Sequence, residues 1–453
     1  MSDSDAKLPD GLLEWVAREG NGEVTRVERH VARREAWIVD VTSADGSVLE
    51  GFLRIDRNPQ EGAHVSLRRE ARICAALRPL GIPVPALLAW NEDHHAALFS
   101  REPGRADIHA LKDAKQQRRV MEDFIDIVAR LHQLDTDTLG LDDIFGPKPA
   151  TAAECALDDV DRQLKQFEGF VAHYKDPLMA YGVQWLRRHA PQEVDRVCLV
   201  QGDTGPVNFM FEGDRVSAVV DWEWGHWGDP MEDLGNICVR EFWNPSGGLE
   251  GLFKRYEQAS NIPYHRFAAQ YYRVQQNVRG MIPIHAVCQH VPPGQSLAWY
   301  LCYRYLGDRS TCEALADAMD IPIAKPELPA DEKPGMLARS VARHLRDDIE
   351  PELQSPFALS RAGDIAILTE CMDRVHRYGA GLRAEECEEM SQLLGRSISD
   401  FDEATSALHA AIEAGELEDE VLVPYLARRA YRDEWLYWPV TRLYPNRSWS
   451  ALD

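Results

Sequence analysis

One stretch of the sequence, residues 200–234, constrains the fold of this chain more than any other. An apolar run at 197–200 ends before a Gln-Gly pair, which predicts a strand that leads into a turn. Residues 208–211 and 216–220 are two further β-rich runs, and the Glu-Gly-Asp-Arg segment at 212–215 is a typical hairpin turn. A hairpin brings the loop before its first strand close to the end of its second strand. Polar groups at those two places are therefore expected to meet.

Three side chains lie at those two places. Asp203 and Asn208 are on the loop before the hairpin, and Asp221 falls at the end of its second strand. In a phosphoryl-transfer site, one carboxylate orients and deprotonates the attacking hydroxyl, while an amide oxygen and a second carboxylate hold Mg²⁺ on the nucleotide phosphates. The D-x-x-x-x-N spacing is also that of the protein-kinase catalytic loop. The alternative is that these are ordinary turn formers, but the flanking strands favour a site.

The longer pattern around these residues resembles the aminoglycoside phosphotransferase/choline kinase-like superfamily. Residues 201–208 read Q-G-D-T-G-P-V-N, where that family usually has H-G-D-x-x-x-x-N. Residues 221–234 contain its D-W-E, G-D-P and D-L elements, and the resemblance covers roughly residues 20–325. It implies an α+β, protein-kinase-like two-lobed fold, with an antiparallel β N-lobe and a mostly helical C-lobe.

The resemblance also implies an activity and a set of site residues. The family transfers the γ-phosphoryl group of ATP or GTP to the hydroxyl of a small molecule with the help of Mg²⁺. Asp203 takes the catalytic position, and Asn208 and Asp221 take the metal-binding positions. Gln201 stands where the family usually has His. Because Gln both donates and accepts hydrogen bonds, we expect it to do the same structural job.

Two more acids in the stretch have structural interpretations. Asp229 precedes a proline and Asp233 opens a predicted helix, so both are expected to be helix caps or loop anchors. A buried Asp that accepts hydrogen bonds from the catalytic-loop backbone would fix the shape of that loop. Two interpretations of Glu223 stay open: it lies near the metal, or it pairs with a basic residue of the C-lobe.

The N-terminal segment fits the nucleotide-binding lobe of such a fold. Arg54 stands on the second of two β-rich runs around a turn at 43–46, where kinases carry the lysine that contacts the phosphates. Glu70, on a predicted helix at 67–77, is the expected partner that holds Arg54 over the phosphates. The alternative is that both are solvated surface charges. Ser100, at the end of the last predicted strand, is expected at the hinge that meets the adenine.

The segment expected to cover the phosphates, residues 30–35, contains no glycine. A glycine-free loop cannot bring its backbone as close to phosphate oxygens. Two interpretations stay open: Arg33 and Arg34 contact the phosphates through their side chains, or nucleotide binding is weak or absent. The second interpretation would make the chain a pseudokinase, a binding module that keeps the fold without the chemistry.

We predict a kinase-like N-lobe at 1–102, a C-lobe with the catalytic and acceptor site at 103–323, a proline-rich linker at 324–334 and a helical accessory domain at 335–453. The last segment shows helical periodicity but no group of residues in a spacing typical of a catalytic site. It resembles a small all-α domain found beside kinases of this superfamily, which often occur in acyl-CoA catabolism. Two roles stay open for this domain: it caps the acceptor site, or it forms a homodimer.

Two acceptor classes are compatible with the sequence. Arg240, Arg273 and Arg279 fall in the helical region where the family builds its acceptor pocket, and arginines there would suit an anionic acceptor such as a hydroxyacyl-CoA. Surface or inter-helix salt bridges are the ordinary alternative for each of them. A cationic aminoglycoside or a macrolide is the second class; an acidic pocket would favour it, and the net charge of −24 is weakly compatible with a cationic acceptor.

Composition argues against several other classes. The net charge of −24 argues against nucleic-acid binding. No apolar run approaches the ~20 residues of a membrane span, and the N-terminus is acidic and unlike a signal peptide. Nine cysteines, scattered without a C-x-x-C pair, argue against structural zinc and a disulfide scaffold. We therefore expect a cytoplasmic enzyme that acts on neither nucleic acids nor membranes.

Overall fold

The computed structural model describes residues 8–30, 35–57, 59, 65–292 and 294–452. The chain divides into two compact units. The first comprises Met1–Cys155 and Gln192–His265, and the second comprises Ala156–Pro191 and Arg266–Asp453. All residues predicted to act in catalysis belong to the first unit. The predicted division into lobes, linker and accessory domain has other boundaries and stays a prediction.

The described strands are β1 (Gly22–His30), β2 (Ala36–Ser43), β3 (Val48–Ile55), β4 (Leu87–Asn91), β5 (Ala96–Ser100), β6 (Cys198–Val200), β7 (Phe209–Glu212), β8 (Arg215–Val219) and β9 (His226–Gly228). The described α-helices are α1 (Leu12–Glu19), α2 (Leu67–Leu77), α3 (Ala114–His132), α4 (Asp142–Phe145), α5 (Ala152–Gln166), α6 (Glu168–Val171), α7 (Pro177–Arg188), α8 (Pro230–Trp243), α9 (Leu252–Ser260), α10 (Arg266–Gln289), α11 (Leu297–Met319), α12 (Met336–His344), α13 (Pro356–Leu393), α14 (Phe401–Glu413), α15 (Asp419–Leu436) and α16 (Trp438–Thr441).

Strands β1–β5 form one antiparallel sheet in the order β1-β2-β3-β5-β4. β3 is the central strand, where Arg54 pairs with Ala36 of β2 on one side and with Ala97 of β5 on the other. Side chains alternate between the two faces of a strand. Leu53 and Ile55 belong to the buried core of this sheet, so Arg54, which lies between them, is on the opposite face.

The predicted hairpin is present. β7 pairs with β8 in an antiparallel ladder, and β6 pairs with β9 in a second one. The segment 201–208 connects β6 to β7, and α8 follows β9 after a single residue. Since β9 returns alongside β6, this topology places the start of α8 next to the beginning of the loop at 201–208.

All regular secondary structure described in the second unit is helical. The sequence pattern predicts separate helices at 296–306 and 311–319, and at 358–378 and 384–394, but each pair is one continuous helix, α11 and α13. The residues between the predicted pairs include glycine but no proline, and an isolated glycine weakens a helix without ending it. Among the helices that the structure describes, none is both long and apolar enough to cross a membrane.

Candidate active site

The loop between β6 and β7 is held by Asp233, which lies in the first turn of α8 and has no solvent exposure. Its Oδ1 accepts hydrogen bonds from the backbone amide of Gly202 (3.0 Å) and from the hydroxyl of Thr204. Its Oδ2 accepts from the amide of Gln201 (3.0 Å) and lies 3.0 Å from Nε2 of His132. Asp233 is therefore the predicted anchor of the loop.

The surroundings of Asp233 keep its carboxylate charged. Burial alone would raise its pKa, but the hydrogen bond and charge of His132 and the hydrogen bonds from the loop outweigh burial and lower the pKa. Nδ1 of His132 lies 2.8 Å from the hydroxyl of Tyr256. Asp229 is the N-cap of α8, where its side chain accepts from the amide of Met231 (2.9 Å). The structural predictions for both acids are confirmed.

Gln201 connects the loop at 201–208, the predicted catalytic loop, to the segment after the hairpin. Its Nε2 donates to the backbone oxygens of Val220 (3.0 Å) and Asp221 (2.8 Å). Its Oε1 accepts from the amide of Asp203 (2.9 Å) and from the hydroxyl of Thr204 (3.1 Å). The side chain thus uses both its donor and its acceptor, which confirms that Gln serves the structural purpose expected of it.

Asp203 lies on this loop with its side chain 17% exposed. Nδ2 of Asn208 donates to the backbone oxygen of Asp203 (2.6 Å) and to its Oδ2 (2.9 Å). The guanidinium of Arg240, from α8, donates through Nε to Oδ1 (2.9 Å) and through Nη2 to Oδ2. The structure therefore brings Asp203 and Asn208 into direct contact, and it adds an arginine that the sequence pattern did not assign to this carboxylate.

Asp221 follows β8 and precedes a short 3₁₀ turn at Trp222–Trp224. Its backbone is left-handed, with φ +62° and ψ +57°, a conformation that Asp and Asn tolerate better than most residues. The amide of Val220, the residue immediately before Asp221, donates to the backbone oxygen of Asn208 (2.9 Å). The predicted metal ligands therefore lie at neighbouring points of the hairpin.

The donor set fits magnesium better than a transition metal. Among the described residues, no group of three or more His, Cys, Asp and Glu side chains could hold a metal ion. Asn208 and Asp221 together offer an amide oxygen and a carboxylate, both hard oxygen ligands. Mg²⁺ is usually bound by one or two carboxylates together with substrate phosphates and water, so two protein ligands suffice.

Arg54 and Glu70 form the predicted ion pair. Nη1 of Arg54 donates to Oε1 (2.6 Å) and Oε2 (2.5 Å) of Glu70, and the side chains are 13% and 7% exposed. Burial would lower the pKa of Arg54, but the charges of Glu70, Asp221 and Glu223 outweigh it and raise the pKa. Both side chains are largely buried, so the alternative of two solvated surface charges is wrong. Arg54 also lies within electrostatic range of the segment that carries Asp221.

Helix α2, which carries Glu70, is tied to the same segment by its neighbour Arg69. Nε of Arg69 donates to the backbone oxygen of Gly225 (2.8 Å), and Nη1 donates to that of Ile144 (3.1 Å). Trp222 is fully buried, as expected of a packing residue. The bond to Gly225 fixes α2 against the turn that follows Asp221.

The remaining predicted nucleotide contacts stay predictions. Ser100 ends β5, where its hydroxyl donates to Oε1 of Glu102 (2.5 Å) and accepts from the amide of Ala86 (2.7 Å). Its side chain therefore supports the chain at the expected hinge. Arg33 and Arg34, and most of the glycine-free loop, lie outside the described residues.

Two of the three arginines considered for an anionic acceptor lie in the second unit, and both have partners within it. Arg273 donates through Nη1 to the backbone oxygen of Ser450 (2.8 Å), and its guanidinium carbon lies 3.4 Å from the ring centroid of Trp449. Nη1 of Arg279 donates to Oδ2 of Asp159 (2.6 Å). The third arginine, Arg240 on α8, pairs with Asp203. Their presence is therefore no evidence for an anionic acceptor.

Comparison with known proteins places this geometry in a family. The model of the phosphotransferase enzyme family matches residues 25–271, which is more than half of the chain. The chain therefore belongs to this phosphotransferase family. The match includes the sheet, the catalytic loop, the hairpin and α8. The predicted resemblance is confirmed.

A solved structure shares the fold. A candidate aminoglycoside phosphotransferase from Ralstonia eutropha aligns with a TM-score of 0.53 at 22% identity, covering 67% of this chain and 95% of the other. The predicted fold class is confirmed: a kinase-like α+β fold with an antiparallel sheet first, a mostly helical remainder and an all-α C-terminal region. At this identity the likeness concerns the fold alone.

Curated relatives are much longer than the matched region. Acyl-CoA dehydrogenase family member 11 from Rattus norvegicus is 30% identical over 188 residues, which are 39% of this chain and 23% of that protein. Acyl-CoA dehydrogenase family member 10 from Mus musculus is 27% identical over 192 residues, or 38% of this chain and 17% of that protein. The chain thus matches about a quarter or less of the length of these two relatives.

Proposed function

We propose that this chain is a small-molecule O-phosphotransferase that moves the γ-phosphoryl group of ATP, or of GTP, to an acceptor hydroxyl with the help of Mg²⁺. The observation that carries the proposal is the contact between Asp203 and Asn208 beside Asp221. It unites a carboxylate for the acceptor with an amide and a second carboxylate for the metal. The buried pair of Arg54 and Glu70 supports the same assignment, because a kinase needs a fixed cation for the phosphates.

Each residue has a role in the proposed mechanism. Arg54, held by Glu70, binds the nucleotide phosphates. Asn208 and Asp221 would hold Mg²⁺, and the bound ion would neutralise charge on the phosphates. Asp203 orients the acceptor hydroxyl and takes its proton as the oxygen forms a bond to the γ-phosphorus. The bond from that phosphorus to the bridging oxygen breaks, and the nucleoside diphosphate leaves with the bonding electrons.

For the acceptor we propose a hydroxyacyl-CoA. The support comes from the relatives, whose names describe acyl-CoA dehydrogenases and whose matched segment is only part of a longer chain. A kinase segment joined to such an enzyme would meet acyl-CoA substrates that carry hydroxyl groups. A fold by itself hosts many acceptors, so the choice of acceptor is decided by assay.

Calorimetric titration with ATP and with GTP, each with and without Mg²⁺, tests the first part of the proposal. Saturable binding that requires Mg²⁺ is the expected result. Formation of nucleoside diphosphate is then measured with hydroxyacyl-CoAs, with the matching acyl-CoAs that lack the hydroxyl as controls, and with aminoglycosides and macrolides. Turnover only with the antibiotics would replace the proposed acceptor. Absence of nucleotide binding by a folded protein would indicate a pseudokinase.

A further inference from the structure

We propose that Arg240 is the positioning residue of the catalytic carboxylate: its guanidinium sets the orientation in which Asp203 meets the acceptor hydroxyl. This inference rests on the proposed function, since it assigns a role within the same site. Arg240 lies on α8 and not on the catalytic loop, 37 residues after Asp203 in the chain. No part of the D-x-x-x-x-N pattern contains it.

The geometry of the pair is that of a two-point clamp. Nε of Arg240 donates to one oxygen of Asp203 and Nη2 donates to the other. Two parallel hydrogen bonds from a planar guanidinium fix both the position and the rotation of a carboxylate, which a single ammonium cannot do. Asn208 adds a third donor, to Oδ2. The carboxylate plane of Asp203 is therefore determined by groups from two different elements.

The backbone of the loop is adapted to this contact at Gly205. A Cβ at this position would lie 2.7 Å from Cβ of Arg240, 3.0 Å from its Cγ and 3.3 Å from Cα of Ile237. The φ angle of Gly205 is +136°, a conformation that residues with a side chain rarely adopt. The loop therefore passes directly over α8 at the turn of the helix that carries Arg240, and only glycine permits so close an approach.

Arg240 is not needed to attach the loop to α8. Asp233, on the same helix, already accepts hydrogen bonds from Gln201, Gly202 and Thr204. These bonds fix the backbone of the loop but do not touch the Asp203 side chain. The clamp adds control of that side chain. Phosphoryl transfer depends mainly on positioning and electrostatic stabilisation, so the orientation of this carboxylate is where such control would affect the rate.

The chain offers a matched control for testing the clamp. Arg255, on α9, donates to Asp126 in the same two-point manner, with Nε 2.7 Å from Oδ1 and Nη2 2.6 Å from Oδ2. That pair lies in the same unit, and the hydrogen bonds and ion pairs of the Arg255 side chain go to Asp126 and Glu122 of α3. Arg255→Gln therefore removes an ion pair of the same two-point geometry, more exposed than that of Arg240, without altering the proposed site.

The experiment compares Arg240→Gln, Arg240→Lys and Arg240→Ala with Arg255→Gln in the full chain. We expect kcat to fall about 10- to 100-fold in all three Arg240 variants, because a misplacement of about 1 Å in a reacting group costs that much. Nucleotide affinity and the melting temperature should stay close to those of Arg255→Gln. Guanidinium chloride, below denaturing concentrations, should restore part of the turnover of Arg240→Ala. Unchanged kcat, or a loss matched by Arg255→Gln, would overturn the inference.

A second readout does not depend on turnover. In crystal structures of the two variants, the Asp203 carboxylate should change its orientation in Arg240→Gln and keep it in Arg255→Gln, while the backbone of 201–208 stays in place in both. An unchanged Asp203 carboxylate in Arg240→Gln would overturn the inference even if no acceptor had been found. Absence of phosphoryl transfer by the unaltered chain, with a reoriented Asp203 carboxylate in Arg240→Gln, would instead count against the proposed function and leave the clamp supported.

Discussion

Two buried carboxylates, one in each unit, respond to burial in opposite ways. Asp233 in the first unit has no exposure, and Glu313 on α11 of the second unit is 5% exposed. Hydrogen bonds lower the pKa of Asp233 despite its burial, whereas burial raises the pKa of Glu313. Both acids have a cationic or hydroxyl neighbour, so the presence of a partner does not explain the difference.

The difference lies in how many of the carboxylate oxygens are satisfied. Each oxygen of Asp233 accepts at least one hydrogen bond from the catalytic loop. Oε1 of Glu313 accepts from Arg309 (3.2 Å) and from the hydroxyl of Tyr431 (2.8 Å), but Oε2 is buried without a donor among the described residues. A charge buried with half of its hydrogen-bonding capacity unused is costly. The surroundings of Asp233 therefore favour its ionised form, whereas burial disfavours the ionised form of Glu313.

Asp233 thus holds a loop in shape, whereas Glu313 is buried between two helices. Besides His132, the groups bonded to Asp233 belong to Gln201, Gly202 and Thr204, which flank Asp203, so the ionisation of Asp233 and the shape of the loop at 201–208 depend on each other. The donors to Glu313 come from α11 and α15, neither of which carries a predicted catalytic residue. Substitutions in the two places should accordingly have different consequences for stability, turnover and pH dependence.

The largest expected effect is that of Asp233→Ala. Removing the carboxylate leaves two loop amides, a hydroxyl and His132 without their common acceptor, and the loss of a buried charged partner costs about 3–5 kcal/mol. The free energy of unfolding from urea titration measures this loss, and turnover should fall with it. A loss below that of Glu313→Ala would show that the loop does not depend on Asp233.

The pH dependence of the same comparison follows from the sign of the pKa shift. The folded pKa of Asp233 lies below its ordinary value of 3.8, so its stabilising contribution is complete above that pH. The contribution is lost as the pH falls through the folded pKa. The stability difference between the unaltered chain and Asp233→Ala should therefore be constant from neutral pH to about pH 5 and shrink below pH 4.

Asp203→Asn should have the next largest effect, on turnover alone. The amide cannot take a proton from the acceptor, and loss of a general base typically costs on the order of 10³-fold in rate. Nucleotide affinity should hardly change, because Asp203 is not assigned to the nucleotide. Single-turnover measurement of diphosphate formation checks this expectation, with Glu313→Gln as the control that should retain full activity. Surviving turnover would show that Asp203 is not the catalytic carboxylate.

Asp221→Ala should weaken Mg²⁺-dependent nucleotide binding by about tenfold or more, or about 1.4 kcal/mol. Asp221 is the one carboxylate assigned to the metal, and Asn208 alone would hold the ion poorly. Calorimetry with and without Mg²⁺ measures the effect, and binding without Mg²⁺ should be similar in the variant and the unaltered chain. Full Mg²⁺ dependence in the variant would contradict the ligand role.

The features that could be predicted from the sequence are those that depend on short spacings between residues. The strand, turn and hairpin around Asp203, Asn208 and Asp221 follow from local patterns, and the fold class follows from the resemblance that they support. Arg54 and Glu70 were also paired correctly, because a central strand followed by a helix is a recurring order. These residues are close to one another in the chain or stand at recognisable positions of one motif.

The unpredicted contacts come from distant elements. His132 reaches Asp233 across 101 residues, and Arg240 reaches Asp203 from a helix whose orientation depends on tertiary packing. The sequence pattern assigns Arg240 to the acceptor region, because a linear pattern does not show which way a helical side chain faces. The one local signal was Gly205, whose small size permits the close contact with α8.

Glu313→Gln should have the smallest effect, and its sign should be opposite to that of Asp233→Ala. A raised folded pKa means that Glu313 favours the folded state most at low pH, and that this contribution is lost as the pH rises above its ordinary value of 4.5. Glutamine is neutral at every pH, so the variant should match or exceed the unaltered chain at pH 8 by about 1 kcal/mol or less. The advantage should vanish near pH 4. Urea titrations across this pH range measure the stability difference between Glu313→Gln and the unaltered chain. If the variant loses stability relative to the unaltered chain between pH 4 and pH 8, the ion pair with Arg309 outweighs the unsatisfied oxygen.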